Sequence, residues 1–517
     1  MIVGLATFFS RSAVTAFVPA ELPIVIHYGL NDSHSRSWVR ENDDGVVGIC
    51  YFQRFAGNYT DGTLLYRTIA PNGSEHIDSV TTGTRMEKSV LLYDSLSEPH
   101  IFMARSNEFD QIIEHYFRRD TGQWQSDTIM HFYGEGGKFI YEMSAEPGPD
   151  YSFHLLVLKT RSDIDSDDFM DAWINSFLYH VTNATGNWQK ELIQNYDMAF
   201  TYDMYIKTSC RQDIKVDRDG YVHVTFAEQI YGGTYPSRLL YATNKTGTWQ
   251  IEVALNYEPG STDDAGWFPS LCFDTNDVPY IACDYIDRVP TYSAYLWKLL
   301  LLKRIGDGSW TSEVVATQSD GYSGGDGTQF TGGLAHLVFD RSNTPHIVFS
   351  DIASTHWPIR NQCVNVGNIR YAVRAGATWD IRTIYRQPLP TGFYNATEML
   401  ELCLNIPKRT DTMRVIGVEL VVTGEYEYTT SLLEFAWGVP CCTGTTGNVN
   451  AEGIVDLADL SALVSYLTGG GYVLPCPAEA NINVTGIVDL SDLTALVSYL
   501  TVGTYVLPPC PQESLTP

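Results

Sequence analysis

The stretch YATNKTGTWQIEVAL, residues 241–255, contains a Gly-x-Trp pattern that returns through most of the chain. The pattern recurs as TGQWQ, TGNWQ, TGTWQ, DGSWT and GATWD, with the tryptophans 61 to 69 residues apart (Trp124, Trp188, Trp249, Trp310 and Trp379). A tyrosine precedes four of these tryptophans by eight or nine residues. Each copy therefore predicts a strand, a tight turn and a second strand.

A second repeated unit lies between the tryptophan units. It reads LLYDSLSEPHIF, IKVDRDGYVHVTF, LCFDTNDVPYIAC and LVFDRSNTPHIVF. Each copy has an aspartate six residues before a histidine or tyrosine (Asp94 and His100, Asp217 and His223, Asp274 and Tyr280, Asp340 and His346). Because these side chains occupy equivalent positions of different repeats, we expect structural hydrogen bonds there and not one shared metal ion.

Together the two units predict four short strands in each period. Fixed periods of this kind indicate radial repetition, and four-stranded units indicate propeller blades. Weaker copies around residues 44–69, 139–158 and 399–436 bring the number of blades to seven, with six as the alternative. The segment PIVIHY is predicted to complete the last blade.

The Gly-x-Trp turns resemble degenerate Asp boxes of the sialidase and BNR-repeat propellers. RDTGQW and GDGSW keep an aspartate near the glycine, although the Gly-to-Trp spacing is one residue shorter than in that family. The resemblance implies the propeller fold, with the turns holding neighbouring blades together. It does not imply sialidase activity, because the sequence has no Arg-Ile-Pro element.

In such propellers ligands usually meet the face where the second strand of a blade connects to the third. Insertions at residues 159–176 and 350–368 fall there. The first contains a weaker candidate calcium loop, with aspartates at positions one, three, five and nine (Asp163, Asp165, Asp167 and Asp171). Nearby strand ends carry four candidate catalytic residues, Arg105, Glu228, Asp284 and Asp351. If these converge, they would supply the paired carboxylates of glycoside hydrolysis.

The chain ends with another repeat. NVNAEGIVDLADL begins at residue 448, and NINVTGIVDLSDL begins thirty-three residues later at residue 481. Oxygen donors recur at the positions of a calcium loop, and each loop runs into a predicted helix with an apolar stripe. The predicted calcium ligands are Asn448, Asn450, Glu452, Ile454 (through its carbonyl), Asp456 and Asp459, then Asn481, Asn483, Thr485, Ile487 (through its carbonyl), Asp489 and Asp492.

These two loop-helix units resemble a type I dockerin with paired EF-hand-like loops. The resemblance implies calcium-dependent anchoring to a cohesin. It also implies that the cohesin is contacted by the residues at loop positions 10 and 11, which are Leu457, Ala458, Leu490 and Ser491. Asn replaces the usual Asp at position 1 of both loops, and Thr485 replaces a carboxylate in the second. Fewer charged ligands predict weaker calcium binding, especially at the second site.

The composition excludes some classes of protein. A net charge of −28 argues against nucleic-acid binding. The ten cysteines include no Cys-x-x-Cys cluster. Disulfide clasps are expected around the terminal repeats (Cys441, Cys442, Cys476 and Cys510). Cys272 and Cys283 are expected to face each other in a hairpin, as a disulfide or as buried thiols.

The expected organisation is a multidomain chain. Residues 1–20 are a candidate remnant of an export signal, 21–437 the propeller, 438–447 a linker, 448–510 the dockerin-like module and 511–517 a tail. No stretch is long and apolar enough to span a bilayer. We therefore expect a secreted or cell-surface protein whose propeller binds an extracellular glycan or protein. The alternatives are a glycoside hydrolase or polysaccharide lyase, and a structural adhesion protein.

Overall fold

The structure is a computed structural model, which describes part of the chain. The described residues are 24–28, 38–42, 44–54, 61–70, 74–106, 110–118, 122–132, 139–149, 152–162, 173–199, 212–229, 237–256, 264–266, 268–289, 294–317, 330–340, 343–357, 362–386, 397–405, 412–424, 427–438, 446–450, 454–470, 472, 474, 476–501 and 503–508. Most of them form strands, and the helices lie near the C-terminus.

In the described residues the strands form seven antiparallel sheets, six with four strands and one with five. Sheet 1 holds β2 (Trp38–Glu41), β3 (Val47–Arg54), β4 (Gly62–Ile69) and β5 (Glu75–Gly83). Sheet 2 holds β6 (Met86–Tyr93), β7 (Pro99–Ser106), β8 (Gln111–Arg118) and β9 (Trp124–His131). Sheet 3 holds β10 (Phe139–Pro147), β11 (Phe153–Ser162), β12 (Trp173–Thr182) and β13 (Gln189–Ala199).

The remaining sheets continue the series. Sheet 4 holds β14 (Asp213–Val216), β15 (Val222–Gln229), β16 (Ser237–Thr243) and β17 (Gln250–Leu255). Sheet 5 holds β18 (Asp264–Ala265), β19 (Ser270–Phe273), β20 (Pro279–Val289), β21 (Ala294–Gly306) and β22 (Ser309–Thr317). Sheet 6 holds β23 (Phe330–Phe339), β24 (Pro345–Trp357), β25 (Gln362–Ala375) and β26 (Thr378–Arg386). Sheet 7 holds β27 (Thr397–Asn405), β28 (Thr412–Gly424), β29 (Glu427–Gly438) and β1 (Ile24–Tyr28).

The sheets are arranged in a ring. The first strand of each sheet lies against the first strand of the next, with β19 in this role in sheet 5, and β27 of sheet 7 lies against β2 of sheet 1. The predicted β-propeller architecture is thereby confirmed. Sheet 5 has five strands because both β18 and β19 pair with β20. In sheet 7 the outermost strand is β1, which pairs with β29 as the PIVIHY segment predicted.

The apolar core consists of clusters between neighbouring sheets. Phe102 and Val90 of sheet 2 pack with Leu155 and Ile140 of sheet 3, and further clusters join the sheets that follow. Burying apolar side chains on both faces of a sheet is what a radial arrangement requires. Along each strand, alternate side chains therefore face the preceding sheet and the following sheet.

The Gly-x-Trp turns attach each sheet to the one before it. Trp310 at the start of β22 packs edge-on against Tyr241 of sheet 4, with ring centroids 5.2 Å apart, and its indole N–H donates to Glu252 at 2.8 Å. Trp249 makes the same pair of contacts one sheet earlier, to His180 and Glu191. These tryptophans are structural residues.

Six outer strands share a β-bulge. In sheets 1 to 6 the pairing between the third and fourth strands shifts at one equivalent point, so that the fourth strand has one extra residue there. The extra residues are apolar and pack into the core between sheets: Val80, Ile129, Ile193, Ala254, Val315 and Ile384. A bulge lets the strand turn such a side chain inward while the rest of the strand stays exposed.

Near the C-terminus lie α1 (Leu457–Leu467), α2 (Pro477–Ala480) and α3 (Leu490–Thr501). Helices α1 and α3 pack against each other through Leu463 and Leu496, both fully buried. Val464 and Val497 belong to the apolar stripes of these helices, which we expected to face the partner helix, but their side chains are 40% and 37% exposed. Two alanines, Ala462 and Ala495, are buried in the same apolar cluster.

Some expectations were wrong, and others fall outside the described residues. Cys272 and Cys283 are both free thiols, because Cys272 stands opposite Tyr280 and the two cysteines point to opposite faces of their hairpin. Cys476 is disulfide-bonded. The export-signal region 1–20, the tail 511–517, Glu452, and residues 163–172 of the 159–176 insertion, with its four aspartates, lie outside the described part. Within the described part, no helix is long and apolar enough to cross a bilayer.

Candidate functional site

The four candidate catalytic residues lie on four different sheets, and the structure does not bring them together. Glu228 on β15 receives a 2.6 Å hydrogen bond from Arg238 on β16. Asp351 on β24 receives one of 3.1 Å from Arg370 on β25. Asp284 on β20 is fully buried and accepts the N–H of Phe268. These carboxylates hold strands together in their own sheets.

Arg105 differs from the other three because it belongs to a row of side chains. At one end of sheet 2 the register places Met86, Arg105, Ile112 and His131 opposite one another across all four strands. Directly opposite residues share one face of an antiparallel sheet. Arg105 and His131 therefore point to the same side, the side that packs against sheet 1.

The Arg105 guanidinium is held by a short chain of contacts. Its Nη2 lies 3.2 Å from Glu114 Oε2, which also accepts the hydroxyl of Tyr116 at 2.9 Å. Gly83 of sheet 1 makes room for it, because a Cβ at that position would lie 2.8 Å from Nη2. Burial raises the pKa of Tyr116 to about 12, so this hydroxyl keeps its proton. The guanidinium is thus fixed in the gap between sheets 1 and 2.

His131 forms a second charged pair in the same row. Its Nδ1 lies 2.9 Å from Asp110 Oδ2, and the imidazole is 45% exposed while the carboxylate is 9% exposed. A carboxylate on one ring nitrogen orients a histidine and leaves its other nitrogen for a ligand. We call Arg105, Asp110, Glu114 and His131 the sheet 2 edge cluster.

Sequence reasoning found only Arg105 of this cluster. Asp110, Glu114 and His131 belong to no repeated motif, and 21 residues separate Asp110 from His131. The available signal was the position of His131 as the last residue of its strand, opposite Ile112. The cluster combines a titratable group of partial exposure with a fixed cation, which suits proton transfer beside a developing negative charge.

A separate charged group lies on the inner strands of sheets 3 to 5. Lys215 Nζ donates to Glu146 Oε2 at 3.0 Å, and Asp213 accepts the N–H of Leu271 at 2.8 Å. Burial raises the pKa of Asp213, and Lys215 only partly offsets it. For Lys215, burial lowers the pKa but the two carboxylates outweigh it, and its pKa is raised. These contacts join three inner strands.

The repeated histidines have the structural roles expected of them. In five sheets the second residue of the second strand is His or Tyr (His100, His154, His223, Tyr280 and His346). His223 Nε2 lies 3.1 Å from Asp217, and its Nδ1 bonds the hydroxyl of Tyr241 on the next strand. The other oxygen of Asp217 accepts two turn N–H groups, from Asp219 and Tyr221. The aspartate therefore connects the turn to the sheet.

The two C-terminal loops share one hydrogen-bond arrangement. At position 12 of the first loop, Asp459 is fully buried and accepts the N–H of Asn450 at 3.0 Å and of Asp456 at 2.8 Å. In the second loop, Asp492 is also fully buried and accepts from Asn483 and Asp489, at 3.0 and 2.9 Å. This shared bonding curls both loops in the same way.

The second loop contains several oxygen atoms of the kind that bind cations. Asn481 Oδ1 and Asn483 Oδ1 both accept the N–H of Thr485, at 3.1 and 2.8 Å, so these two oxygens lie close together. Ser491 lowers the pKa of Asp489 by hydrogen bonding to its carboxylate. An all-oxygen set suits a hard cation such as calcium. No group of three or more His, Cys, Asp or Glu side chains gathers at one point in the described residues.

Loop positions 10 and 11 are on the surface. Leu457 is 68% exposed and Leu490 is 69% exposed, at equivalent places in the two units. Ala458 and Ser491 beside them are exposed as well. Ile454 and Ile487, at position 7, extend the two apolar patches with side chains 79% and 80% exposed. Each unit therefore presents the same small apolar surface.

Comparisons with known proteins gave matches in structure and none in sequence. No family model matches the chain, and no curated protein matches its sequence. The polysaccharide lyase Uly1 has 10% identity and a TM-score of 0.44, over 82% of this chain and 94% of that one. Penicillium chrysogenum alpha-L-arabinanase has 11% identity and a TM-score of 0.40, over 80% and 98%. The β-propeller domain of the Pyrococcus furiosus Trilobed protease has 11% identity and a TM-score of 0.38, over 79% and 95%.

Proposed function

We propose that this chain is an extracellular modular protein that degrades a polysaccharide. The propeller cleaves the glycan, and the C-terminal module anchors the protein in a calcium-dependent way. The observation that carries the first part is the sheet 2 edge cluster, in which His131 and Arg105 share one face of a sheet. A polysaccharide chain lying along the gap between sheets 1 and 2 would meet both groups.

The contacts within the cluster favour elimination over hydrolysis. Hydrolysis uses two carboxyl groups, one to protonate the leaving oxygen and the other to act as nucleophile or base. Here Glu114 is held by Arg105 and Tyr116, and Asp110 is held by His131. Both carboxylates are therefore engaged with groups of the protein.

In an elimination, His131 takes the proton from the carbon next to a uronate carboxylate. The bond from the neighbouring carbon to the glycosidic oxygen breaks, a carbon–carbon double bond forms, and the leaving oxygen takes up a proton. Arg105 stabilises the charge that develops on the carboxylate. Asp110 holds the imidazole in position through the contact to its Nδ1. The reaction requires no other reactant.

Product release tests this proposal. The full chain is incubated with polysaccharides that contain uronic acids and with neutral ones, and new saccharides are detected by chromatography and by the ultraviolet absorbance of the new double bond. His131→Gln is expected to lower the rate by about 100-fold or more, the usual contribution of general acid–base catalysis. His76→Gln is the matched control, because His76 forms the same kind of pair with Asp78 at 2.9 Å on the outer strand of sheet 1.

Two results would overturn the cleavage proposal. One is a folded protein that releases no product from any polysaccharide, and the other is full activity of the His131→Gln variant. If no product appears but calorimetry shows a glycan bound, the propeller is a binding module. If the protein neither releases a product nor binds a glycan, the hypothesis of a structural adhesion protein is favoured.

The proposed calcium sites are the two C-terminal loops. In the first loop Asn448, Asn450, Glu452, Asp456 and Asp459 would supply side-chain oxygens, and in the second Asn481, Asn483, Thr485, Asp489 and Asp492. Ile454 and Ile487 would supply carbonyls. Calcium would neutralise the carboxylates and hold each loop closed. The support is the matched hydrogen bonding of Asp459 and Asp492.

Conservative substitutions separate calcium binding from folding. Asp456→Asn and Asp489→Asn remove a charged ligand but keep an oxygen that can accept the N–H two residues on, as both aspartates do. We expect calcium to raise the helicity and melting temperature of the wild-type module, and each variant to need more calcium while melting unchanged in chelator. The absence of any response to millimolar calcium would contradict this proposal.

The proposed partner is a cohesin-like domain, contacted by Leu457, Ala458, Leu490 and Ser491. The support is the exposure of Leu457 and Leu490 at equivalent positions. A disulfide at Cys476 supports an extracellular or cell-surface location. Binding to immobilised cohesin domains is expected in calcium, and it should be lost in chelator and in the Leu457→Asp/Leu490→Asp double variant. No binding in calcium would remove the cohesin from the proposal.

A further inference from the structure

Sheets 2 and 3 each contain two histidines joined ring to ring. In sheet 2, His100 Nδ1 lies 2.8 Å from His115 Nε2, and in sheet 3, His154 Nδ1 lies 3.0 Å from His180 Nε2. The ring planes of each pair are nearly parallel, at 18° and 1°, and the centroids are 5.0 and 5.2 Å apart, as expected for rings joined edge to edge. His115, His154 and His180 are buried, and His100 is half-buried.

A bond between two imidazole nitrogens limits how many protons the pair can hold. One nitrogen must carry hydrogen and the other must offer its lone pair. If both rings were protonated, two N–H groups would face each other at hydrogen-bond distance. A folded pair therefore holds at most one added proton, whereas two histidines of an unfolded chain each bind one below a pH of about 6.5.

Each pair lies at a contact between sheets. Phe153 of sheet 3 packs on the ring of His100 in sheet 2, with centroids 4.5 Å apart. Trp249, from the turn before β17 of sheet 4, packs edge-on against His180 in sheet 3 at 5.5 Å. Loss of either pair would therefore disturb the packing between two sheets, and not only the strand on which the histidine lies.

Two carboxylates lie around the first pair. Asp94 Oδ2 is 3.5 Å from His100 Nε2, and Asp127 stands opposite His115 on β9. Asp94 accepts two turn N–H groups through its other oxygen, from Leu96 and Glu98. It can therefore hold His100 in the tautomer whose Nδ1 accepts from His115.

The polar surroundings of the second pair are Ser152, Glu146, Lys215 and Glu191. Ser152 Oγ is 2.9 Å from His154 Nε2, and Glu146 stands opposite His154 with its carboxylate bonded to Lys215. Glu191 stands opposite His180, but its carboxylate accepts the indole N–H of Trp249. Burial, with His154 adding to it, lowers the pKa of His180 to about 3.

Two other sheets of this chain contain a histidine hydrogen bond that does not limit the number of protons in this way. In sheets 4 and 6 the partner of the repeated histidine is a tyrosine, and His346 Nδ1 lies 2.6 Å from Tyr371 Oη as His223 Nδ1 bonds Tyr241 Oη. A phenol oxygen can donate to a neutral imidazole or accept from a protonated one. These two sheets can therefore keep their bond when the histidine gains a proton.

We propose that the two histidine pairs form an acid-sensitive lock between sheets 2, 3 and 4, which holds at neutral pH and loosens in acid. This goes beyond the proposed function and does not depend on it. The pKa of His180 is near 3 in the folded protein and 6.5 in the unfolded chain. Its contribution to stability is therefore complete above pH 6.5 and is lost as the pH falls from there toward 3.

Substitution by tyrosine tests the lock. His115→Tyr and His180→Tyr copy the arrangement of sheets 4 and 6, and denaturant unfolding of the full chain is measured at pH 7 and pH 4.5. At pH 4.5 the excess proton uptake of the unfolded chain raises the unfolding equilibrium constant by on the order of 100-fold for each constrained histidine. Each substitution is expected to remove the increase in the unfolding equilibrium constant that comes from its own histidine pair. His76→Gln, at an exposed histidine, should leave it unchanged.

Two further measurements apply even if a tyrosine variant does not fold. Tyr241→His creates a third histidine pair and is expected to increase acid sensitivity. In carbon-13-labelled wild-type protein, NMR should show that at least one histidine of each pair stays neutral at pH 5 while the fold is intact. The lock is disproved if both histidines of a pair titrate near 6.5 in the folded protein, or if the folded tyrosine variants lose stability in acid as the wild type does.

Discussion

The propeller and the C-terminal module are both built from repeats, but the repeats are joined differently. Each propeller sheet contacts a neighbour on both sides, and these contacts include apolar clusters and hydrogen bonds of the repeated tryptophans. In the C-terminal module α1 and α3 have each other as partners in one small apolar cluster. A damaged contact in the ring is surrounded by others, whereas in the described residues of the module the two helices share a single apolar cluster. Four substitutions sharpen this contrast.

The largest effect is expected from Leu496→Ala in α3. Its side chain is fully buried, so truncation should cost about 3 kcal/mol of unfolding free energy. That loss is expected to unfold the small module, and Leu463→Ala should do the same because the two units are equivalent. Leu271→Ala, at a fully buried position of sheet 5, should lower the propeller's stability without unfolding it. Circular dichroism signals of helix and strand during urea unfolding report on the module and the propeller respectively. A module that stays folded in either helix variant would contradict the proposed difference between the two regions.

Next comes Gly48→Ala on β3 of sheet 1. A Cβ there would lie 2.0 Å from Tyr93 Oη, which shares a 2.8 Å hydrogen bond with Tyr66 Oη. Gly48 occupies the place of the repeated histidine, and the hydroxyl of the neighbouring sheet fills the space. Overpacking should cost about 2 kcal/mol. A double-mutant cycle with Tyr93→Phe should recover much of that cost, and strict additivity would argue against the clash.

A smaller loss is expected for Glu252→Gln at the contact of sheets 4 and 5. Glu252 accepts from Arg304, from the N–H of Gly308 and from the indole of Trp310, so the cost should be about 1–2 kcal/mol. Burial raises the pKa of Glu252, but these hydrogen bonds outweigh it and the pKa is lowered below 4.5. The stabilisation is therefore present above pH 4.5 and is lost as the pH falls through the lower folded value.

The pH dependence supplies the check on Glu252. The difference in melting temperature between wild type and Glu252→Gln should shrink as the pH falls below 4.5. Glu191→Gln is the control, because the exposed Glu191 accepts from Trp249 but its bonds include no arginine. If Glu191→Gln costs as much as Glu252→Gln, the arginine contacts do not determine the strength of this junction.

The smallest effect is a gain from Val484→Gly in the second C-terminal loop. Val484 has a φ of 58°, which a β-branched residue adopts only with strain. Glycine should raise the stability of the module by about 1 kcal/mol in chelator, since the left-handed region costs other residues about that much. Val488→Gly, outside the left-handed region, is expected to destabilise. A loss with Val484→Gly would show that the loop is not strained there.

Repetition made much of the architecture predictable. The spacing of Gly-x-Trp turns gave the hairpins, and the spacing of Asp94, Asp217 and Asp340 to their histidines gave local hydrogen bonds that the structure contains. The outer bulge also repeats, five residues after each tryptophan, but small apolar residues such as Ala254 carry too little signal to show it in one sequence. Its position depends on strand register, which only the assembled sheet fixes.

The candidate site was less predictable for the same reason. Arg105 was found as a charge at a strand end, but His131 and Asp110 became neighbours only through the pairing of β8 and β9. The error at Cys272 and Cys283 also came from register, since a shift of one residue moves a side chain to the opposite face. Where no repeat supplies the register, residue types alone did not determine which side chains meet.

The outer bulges have a consequence for how these molecules meet one another. Beside the bulges, outer strands expose Leu192, Val253 and Val314, each between 38% and 49% accessible. A regular strand with apolar side chains on its free edge would be a template for a strand of another chain, the first step of aggregation. An extra residue at the same point of six sheets bends each edge away from that flat form. The bulge that directs an apolar side chain into the core therefore also disfavours edge-to-edge association between concentrated copies of the propeller.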